Sequence, residues 1–228
     1  MDSELQNPKS GDWLLWQLAD SAFPCGGFAH SGGLEAAVQH GELGSLDDLR
    51  AFLEASLHQF GRASLPLMLA GYDQPQDLPE LDRLCDPFTT NHVANRASRL
   101  QGQALLASAE RIFSIRSLAN PLRTPHSALR IHLAPIAGVL LRELGLARAD
   151  AARLFCFWHL RGLISAAVRL GVVGPLQAQA LQHSLVAAAE ETIHHGEHAS
   201  VDEMVQTAPL LDLWQANQDR LYSRLFQS

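Results

Sequence analysis

Leu14-Leu15-Trp16-Gln17-Leu18-Ala19-Asp20-Ser21-Ala22-Phe23-Pro24-Cys25-Gly26-Gly27-Phe28-Ala29-His30-Ser31-Gly32-Gly33-Leu34-Glu35 is the stretch on which the fold turns. It reads as an apolar helical segment, a break punctuated by Pro24 and four glycines, and a second helical segment that restarts at Ser31. Glycine reaches positive φ without a Cβ penalty, so the pairs Gly26-Gly27 and Gly32-Gly33 mark a chain that bends sharply or admits another backbone. Ordering such a loop is costly in conformational entropy.

Outward from this stretch the pattern is helical in both directions. Residues 1–10 are polar and read as a frayed start, and Gly11 to Ala19 forms a short helix that Asp12 is able to cap. A helix from about Ser31 to Gln39, with Ser31 as its N-cap, closes at His40-Gly41. Ser45-Leu46-Asp47-Asp48 opens the next helix in capping-box order, with Leu46, Leu49, Phe52, Leu53 and Leu57 on one stripe. Pro66 is expected to interrupt or restart a following apolar segment ending near Ala70-Gly71, and a short helix from Leu81 to Cys85 to stop before Pro87. From Thr90 to Ser117 the apolar side carries Val93, Leu100, Ala104, Ala107 and Ile112, with Arg96, Arg99 and Arg111 largely opposite; Asn120-Pro121 and Thr124-Pro125 break it.

His132 to Leu144 reads as a small apolar helix with Pro135 near its start. Ala149 to Leu170, apolar over most of its circumference, reads as the central core helix. One helix then follows from Leu176 to about His195, and a last one from Leu210 to Leu221. No period-2 strand, repeat or low-complexity tract is found. The fold class is all-α: a single-domain irregular bundle of about eight to ten helices, spanning 11–220 between a flexible start (1–10) and a tail (221–228).

The 228 residues are 47% apolar and carry 24 Asp+Glu against 17 Lys+Arg, only Lys9 being a lysine. A net charge of -7 argues against nucleic-acid binding, which needs clustered positive charge. Arginine dominance fits partner contacts, and it equally fits a codon bias. With no run of about 18 apolar residues no membrane span is expected. Cys25, Cys85 and Cys156, odd in number and far apart, suit reduced thiols in a cytoplasm.

Candidate chemistry is sparse. Gly27-x-x-x-x-Gly32-Gly33 lacks the Lys and Ser/Thr of a phosphate loop. Cys25 with His30 nearby is the candidate nucleophile and base of an all-α enzyme, but the sequence places no Asn or Asp to orient the histidine. His194-His195-Gly196-Glu197-His198 is the metal candidate, through His194, His195 and His198; a solvated helix end rich in histidine is the preferred reading. Tyr222-Ser223-Arg224-Leu225-Phe226 joins large apolar residues to arginine, the types enriched at interfaces. Two readings of this tail stand: docking on a partner, or folding back on its own core.

Three stretches resemble the urease accessory protein F (UreF) family: Leu14 to Glu35; Ser127 through His132-Leu133-Ala134-Pro135-Ile136-Ala137-Gly138; and Arg169 to Gln177 leading to the Tyr-Ser-Arg-Leu-Phe ending. The resemblance implies a non-catalytic, homodimeric, cytoplasmic scaffold for nickel insertion into urease. It implies no cofactor bound by the chain itself, nickel being handled by the complex. The implied partners are UreD (also called UreH), the GTPase UreG, whose activity the protein would regulate, and the urease apoprotein. Gly26, Gly27, Phe28, His30, Ser31, Gly33 and Glu35 would shape the surface facing the GTPase, and Tyr222, Arg224, Leu225 and Phe226 the tail docking on UreD. A His-rich direct nickel carrier is the alternative, ahead of the Cys25/His30 enzyme.

Overall fold

Ser45 starts the longest helix through a local device. Its hydroxyl accepts the Asp48 amide at 3.1 Å while the Asp48 carboxylate accepts the Ser45 amide at 2.9 Å. Two otherwise unsatisfied donors are thereby paired. The computed structural model describes residues 10–115 and 129–228, with side chains from residue 12 onward. Ten α-helices and no strand occur among the described residues. The breaks expected at Asn120-Pro121 and Thr124-Pro125, the helix end at Ser117, residue Ser127 and the start 1–9 lie outside them.

In chain order the helices are α1 (Ser10–Ala19), α2 (Leu34–Gln39), α3 (Leu46–Asp73), α4 (Leu78–Phe88), α5 (His92–Phe113), α6 (Leu133–Glu143), α7 (Arg148–Arg169), α8 (Pro175–Ser184), α9 (Val186–Gly196) and α10 (Pro209–Asn217). Single 3-10 turns at Gly27–Ala29, Pro75–Asp77, Val201–Glu203 and Gln218–Arg220 join or end them.

The centre is α6 rather than α7. Every residue from Ala134 to Leu141 is buried, so this short helix is enclosed on all sides. On α7, Phe157, His159 and Val168 are only half-buried and Arg153 is exposed. Burial all round α6 requires close neighbours, and glycine supplies them. A Cβ on Gly138 would collide with the Met68 carbonyl of α3, and one on Gly71 of α3 with the Pro135 carbonyl of α6. The two helices thus touch backbone to backbone, and dispersion contacts are dense where side chains do not hold the axes apart.

Pro66 lies inside an uninterrupted α3. A mid-helix proline has no amide for the carbonyl four residues earlier. That carbonyl belongs to Arg62, and the Val205 amide donates to it at 3.1 Å. A distant part of the chain thus satisfies the broken rung, which no local reading could foresee. Pro87 likewise lies within α4, in its last turn. The segment expected as one helix from Leu176 to His195 is two, divided at Leu185. Along α5 the buried stripe is Val93, Ala97, Leu105, Leu106 and Ala109, while Leu100 and Ile112 are exposed. Gly102 shifts that stripe, because it receives the Ile131 carbonyl.

Asp82, buried on α4, accepts the amides of Arg130 and His132, each at 2.7 Å. His132, the N-cap residue of α6, is fully buried, with Ser98 Oγ 3.1 Å from Nδ1 and Asp86 Oδ1 3.1 Å from Nε2. Its desolvation outweighs the two carboxylates and holds its pKa below the usual value, so it packs as a neutral ring.

The α3–α6 crossing generates a paired prediction. Gly138→Ala should cost at least about 2 kcal/mol by chemical denaturation, since the obstacle is backbone. Gly162→Ala, on α7 with nothing within 4 Å of the added atom, should stabilise by about 0.5–1 kcal/mol. Equal midpoints for the two variants would refute the crossing.

Candidate functional site

The Gly-rich loop and the closing segment 221–228 are far apart in sequence and form one site. In the loop, Gly26 has φ 77, Gly32 φ 61 and Gly33 φ 91, the left-handed region that favours glycine. At Gly33 space is also decisive, because a Cβ there would lie 2.9 Å from the Gln215 backbone nitrogen on α10. The backbone that approaches this glycine is therefore the chain's own. Helix α2 begins at Leu34 with Gly33 at the N-cap position, and the Ser31 hydroxyl, two residues further back, accepts the Glu35 amide of its first turn at 3.4 Å. Fully buried Ser31 also faces the closing segment: its amide donates to the Ser228 carbonyl at 2.5 Å and its hydroxyl to the same oxygen at 3.2 Å. The Gln227 amide donates back to the Ala29 carbonyl at 2.8 Å.

Glu35 holds the other half. Its side chain, 1% exposed, sits in the first turn of α2 between apolar neighbours. The amides of Leu225 (2.5 Å) and Phe226 (3.1 Å) and the side-chain amide of Gln218 (2.5 Å) donate to its two carboxylate oxygens. Gln39 Nε2 is a fourth, longer donor at 3.5 Å, and it also donates to the Ser223 carbonyl at 2.9 Å. A buried carboxylate is tolerated only where hydrogen bonds replace its water, and here they come from the segment it pins.

His30 and Arg169 complete the seam. His30 Nδ1 lies 2.5 Å from Ser228 Oγ. Burial, with the Arg96 guanidinium adding to it, pushes the His30 pKa down to about 4, so the ring is neutral near pH 7. The Arg169 guanidinium lies between two rings, 3.7 Å from the Phe28 centroid and 4.2 Å from that of Phe226, and donates to the Phe28 carbonyl at 2.5 Å. At the edge, Asp219 accepts both arms of Arg96 (3.0 and 2.8 Å) and one of Arg224 (3.0 Å). The Arg96 hydrogen bonds hold its carboxyl below the usual range.

The residues singled out from the sequence now divide by position. Ser31, Gly33, Glu35 and Phe226 are buried; Gly26, Gly27 and His30 are half-buried; Phe28, Tyr222, Arg224 and Leu225 are exposed. The inner ones place the outer ones. Phe28 is 69% exposed, Leu225 53%, and Tyr222 has no cover at all. Of the two readings of the tail, folding back holds for Phe226 and Ser228, while Tyr222 and Leu225 remain outside. Gln218, Ser228 and Arg169 were missed, because nothing local marks them as partners of residues more than a hundred positions away.

Behind the loop lies a cleft of about 1010 Å³, walled by Phe23, Cys25, Trp158 and the Ser56–His159 pair, whose Oγ and Nε2 lie 2.9 Å apart. All three cysteines are free and buried. His30 is engaged with Ser228 rather than with a thiol.

Two outcomes are expected. Glu35→Ala leaves two backbone amides and one side-chain amide without their acceptor, at about 1–3 kcal/mol each. Hydrogen exchange at Leu225 and Phe226 should then accelerate while α3 and α6 stay protected; unchanged exchange would contradict the clamp. For pH, a histidine whose folded pKa lies below its unfolded value of 6.5 binds its proton more readily when unfolded, so stability falls as pH falls from 6.5 towards 4. His30→Asn should flatten part of the thermal-midpoint slope between pH 6.5 and 5, with His159, also pushed down to about 4, and His132, also lowered, keeping the remainder.

The sequence model described as UreF matches residues 43–186, a stretch that includes neither the loop nor the closing segment. Urease accessory protein F of Oryza sativa subsp. indica is 38% identical over 219 residues, which cover 94% of this chain and 84% of the relative. The Arabidopsis thaliana protein of the same name is 35% identical over 221 residues (95% and 92%). Urease accessory protein UreF of Mycolicibacterium vanbaalenii is 32% identical over 202 residues (87% and 90%).

Proposed function

The chain belongs to the UreF family of urease accessory proteins, and we propose that it is a non-catalytic scaffold that holds UreD (UreH) and the GTPase UreG together while nickel is inserted into the urease apoprotein. One observation carries the reading. A network of buried hydrogen bonds, centred on Glu35, holds the loop and segment 221–228 so that Phe28, Tyr222 and Leu225 stand in solvent. Exposed aromatic and aliphatic side chains on an ordered backbone, flanked by Arg169 and Arg224, have the composition of a protein-binding surface. Ordering them in advance removes the entropy that a free tail would lose on docking.

Burial keeps His30, His132 and His159 below the usual histidine value, and each ring is paired, with Ser228, with Ser98 and Asp86, and with Ser56. No helix among the described residues is long and apolar enough to cross a membrane. In this reading the working place is the cytoplasm, nickel is cargo of the complex, and GTP hydrolysis by the partner is regulated through the contact. A second copy of the chain belongs to the reading as well. Trp13 and Trp16, edge to face on α1 and 68% and 60% exposed, are apolar surface that such a contact would cover.

The test is size-exclusion chromatography with light scattering after co-expression with the matching UreD and UreG. The wild-type chain should elute in a complex larger than its own dimer. The double variant Tyr222→Ala/Leu225→Ser, which leaves the Glu35 clamp intact, should lose at least about 1.4 kcal/mol of affinity, a tenfold change. A complex undiminished by this variant and by Phe28→Ser would overturn the proposed surface.

A further inference from the structure

The end of α9 carries a second cluster, made of residues that take no part in the loop-and-tail site. His194, Glu197 and His198 each present one ligand atom, and the three atoms lie within 4.8 Å of one another. Glu197 Oε1 is 3.4 Å from His194 Nδ1 and 3.4 Å from His198 Nε2. For bonds of about 2.1 Å, the edge of a tetrahedral ligand set is about 3.4 Å. The two imidazole–carboxylate separations already have that length, and only the two imidazoles need to turn toward each other. Their rings stand 5.7 Å apart and nearly perpendicular. Both side chains are more than 70% exposed and free to turn.

The backbone beneath them is fixed. Gly196, the last residue of α9, is buried against α3: a Cβ there would lie 2.6 Å from Leu65 Cδ2 and 2.8 Å from the Gly61 carbonyl. The Glu197 carbonyl accepts Arg148 Nη2 at 3.2 Å and its amide donates to Ile193 at 2.8 Å. The glycine that ends the helix inside the histidine run is what seats the run on α3. The neighbouring cations are themselves engaged, Arg148 with Asp73 and Arg153 with Glu190, both at 3.0 Å.

We propose that His194, Glu197 and His198 form a surface site for one borderline divalent cation of the zinc and nickel class, with its remaining positions open to water. Two imidazoles and a carboxylate suit such ions better than magnesium or calcium, which prefer all-oxygen sites. His195, although adjacent, is not a ligand. The site is a property of the isolated chain and does not depend on the scaffold reading.

The test uses the full-length chain without a histidine tag. Zn²⁺, and separately Ni²⁺, is titrated calorimetrically, and Co²⁺ is followed by its visible absorption, which reports coordination geometry. One equivalent per chain should bind. Glu197→Gln, His194→Ala and His198→Ala should each weaken binding about tenfold or more, while His195→Ala leaves it unchanged. Because the three histidines are exposed and Glu197→Gln keeps the shape of a half-buried side chain, helical circular dichroism should match the wild type for all four. Absence of saturable binding, or equal loss in His195→Ala and His198→Ala, would overturn the site.

Discussion

Two helices that touch through their backbones set the frame for everything else. With Gly138 against the Met68 carbonyl and Gly71 against the Pro135 carbonyl, α3 and α6 have one separation and one register. A side chain at either position would push the axes apart and open the core around Ala134–Leu141. The same economy of volume recurs where α9 meets α3, at Gly61 beside Thr192 and Gly196 beside Leu65. One long helix thus receives two neighbours at close range. The features that matter for recognition, the loop, the closing segment and the end of α9, are mounted on this rigid frame.

On that frame a single buried carboxylate does what a larger core does elsewhere. Segment 221–228 has one large apolar anchor, Phe226, and little else to bury. Its attachment is polar, through Glu35, Gln218, Gln39 and the Ser31–Ser228 contacts. Polar attachment is specific in geometry, since each donor meets one acceptor, and it holds the segment without covering its outer side chains. Apolar attachment would have consumed Tyr222 and Leu225. The arrangement separates holding from presenting, which a binding surface requires.

How much of this could be read beforehand follows the range of the interactions. The Ser45–Asp48 box, the glycine after α2 and the short apolar α6 were legible, because each is decided within a few residues. Pro66 was misread, since its remedy is Val205. The centre was placed on α7 rather than α6 because composition counts apolar residues but not what surrounds them. Gly33 and Glu35 were recognised as belonging to the site, yet their partners, Gln215 on α10 and the Leu225 and Phe226 amides, were invisible. Glu197 stands in the His194–His198 run, but only the turn after Gly196 brings its carboxylate between His194 and His198.

The bond from Val205 to the Arg62 carbonyl also fixes a length. Gly196 is seated at Gly61 and Leu65, and Val205 is tied one residue beyond Gly61, so the stretch between them leaves and returns to the same turn of α3. It is a closed loop of set span, continued by the Ala208 amide donating to Gln59. An inserted or deleted residue here would rotate α10 and carry Gln215 away from Gly33 and Gln218 away from Glu35. Related chains should therefore keep residues 197–208 free of gaps. The proline that looks like a flaw in α3 thus acts as a ruler for the far end of the chain.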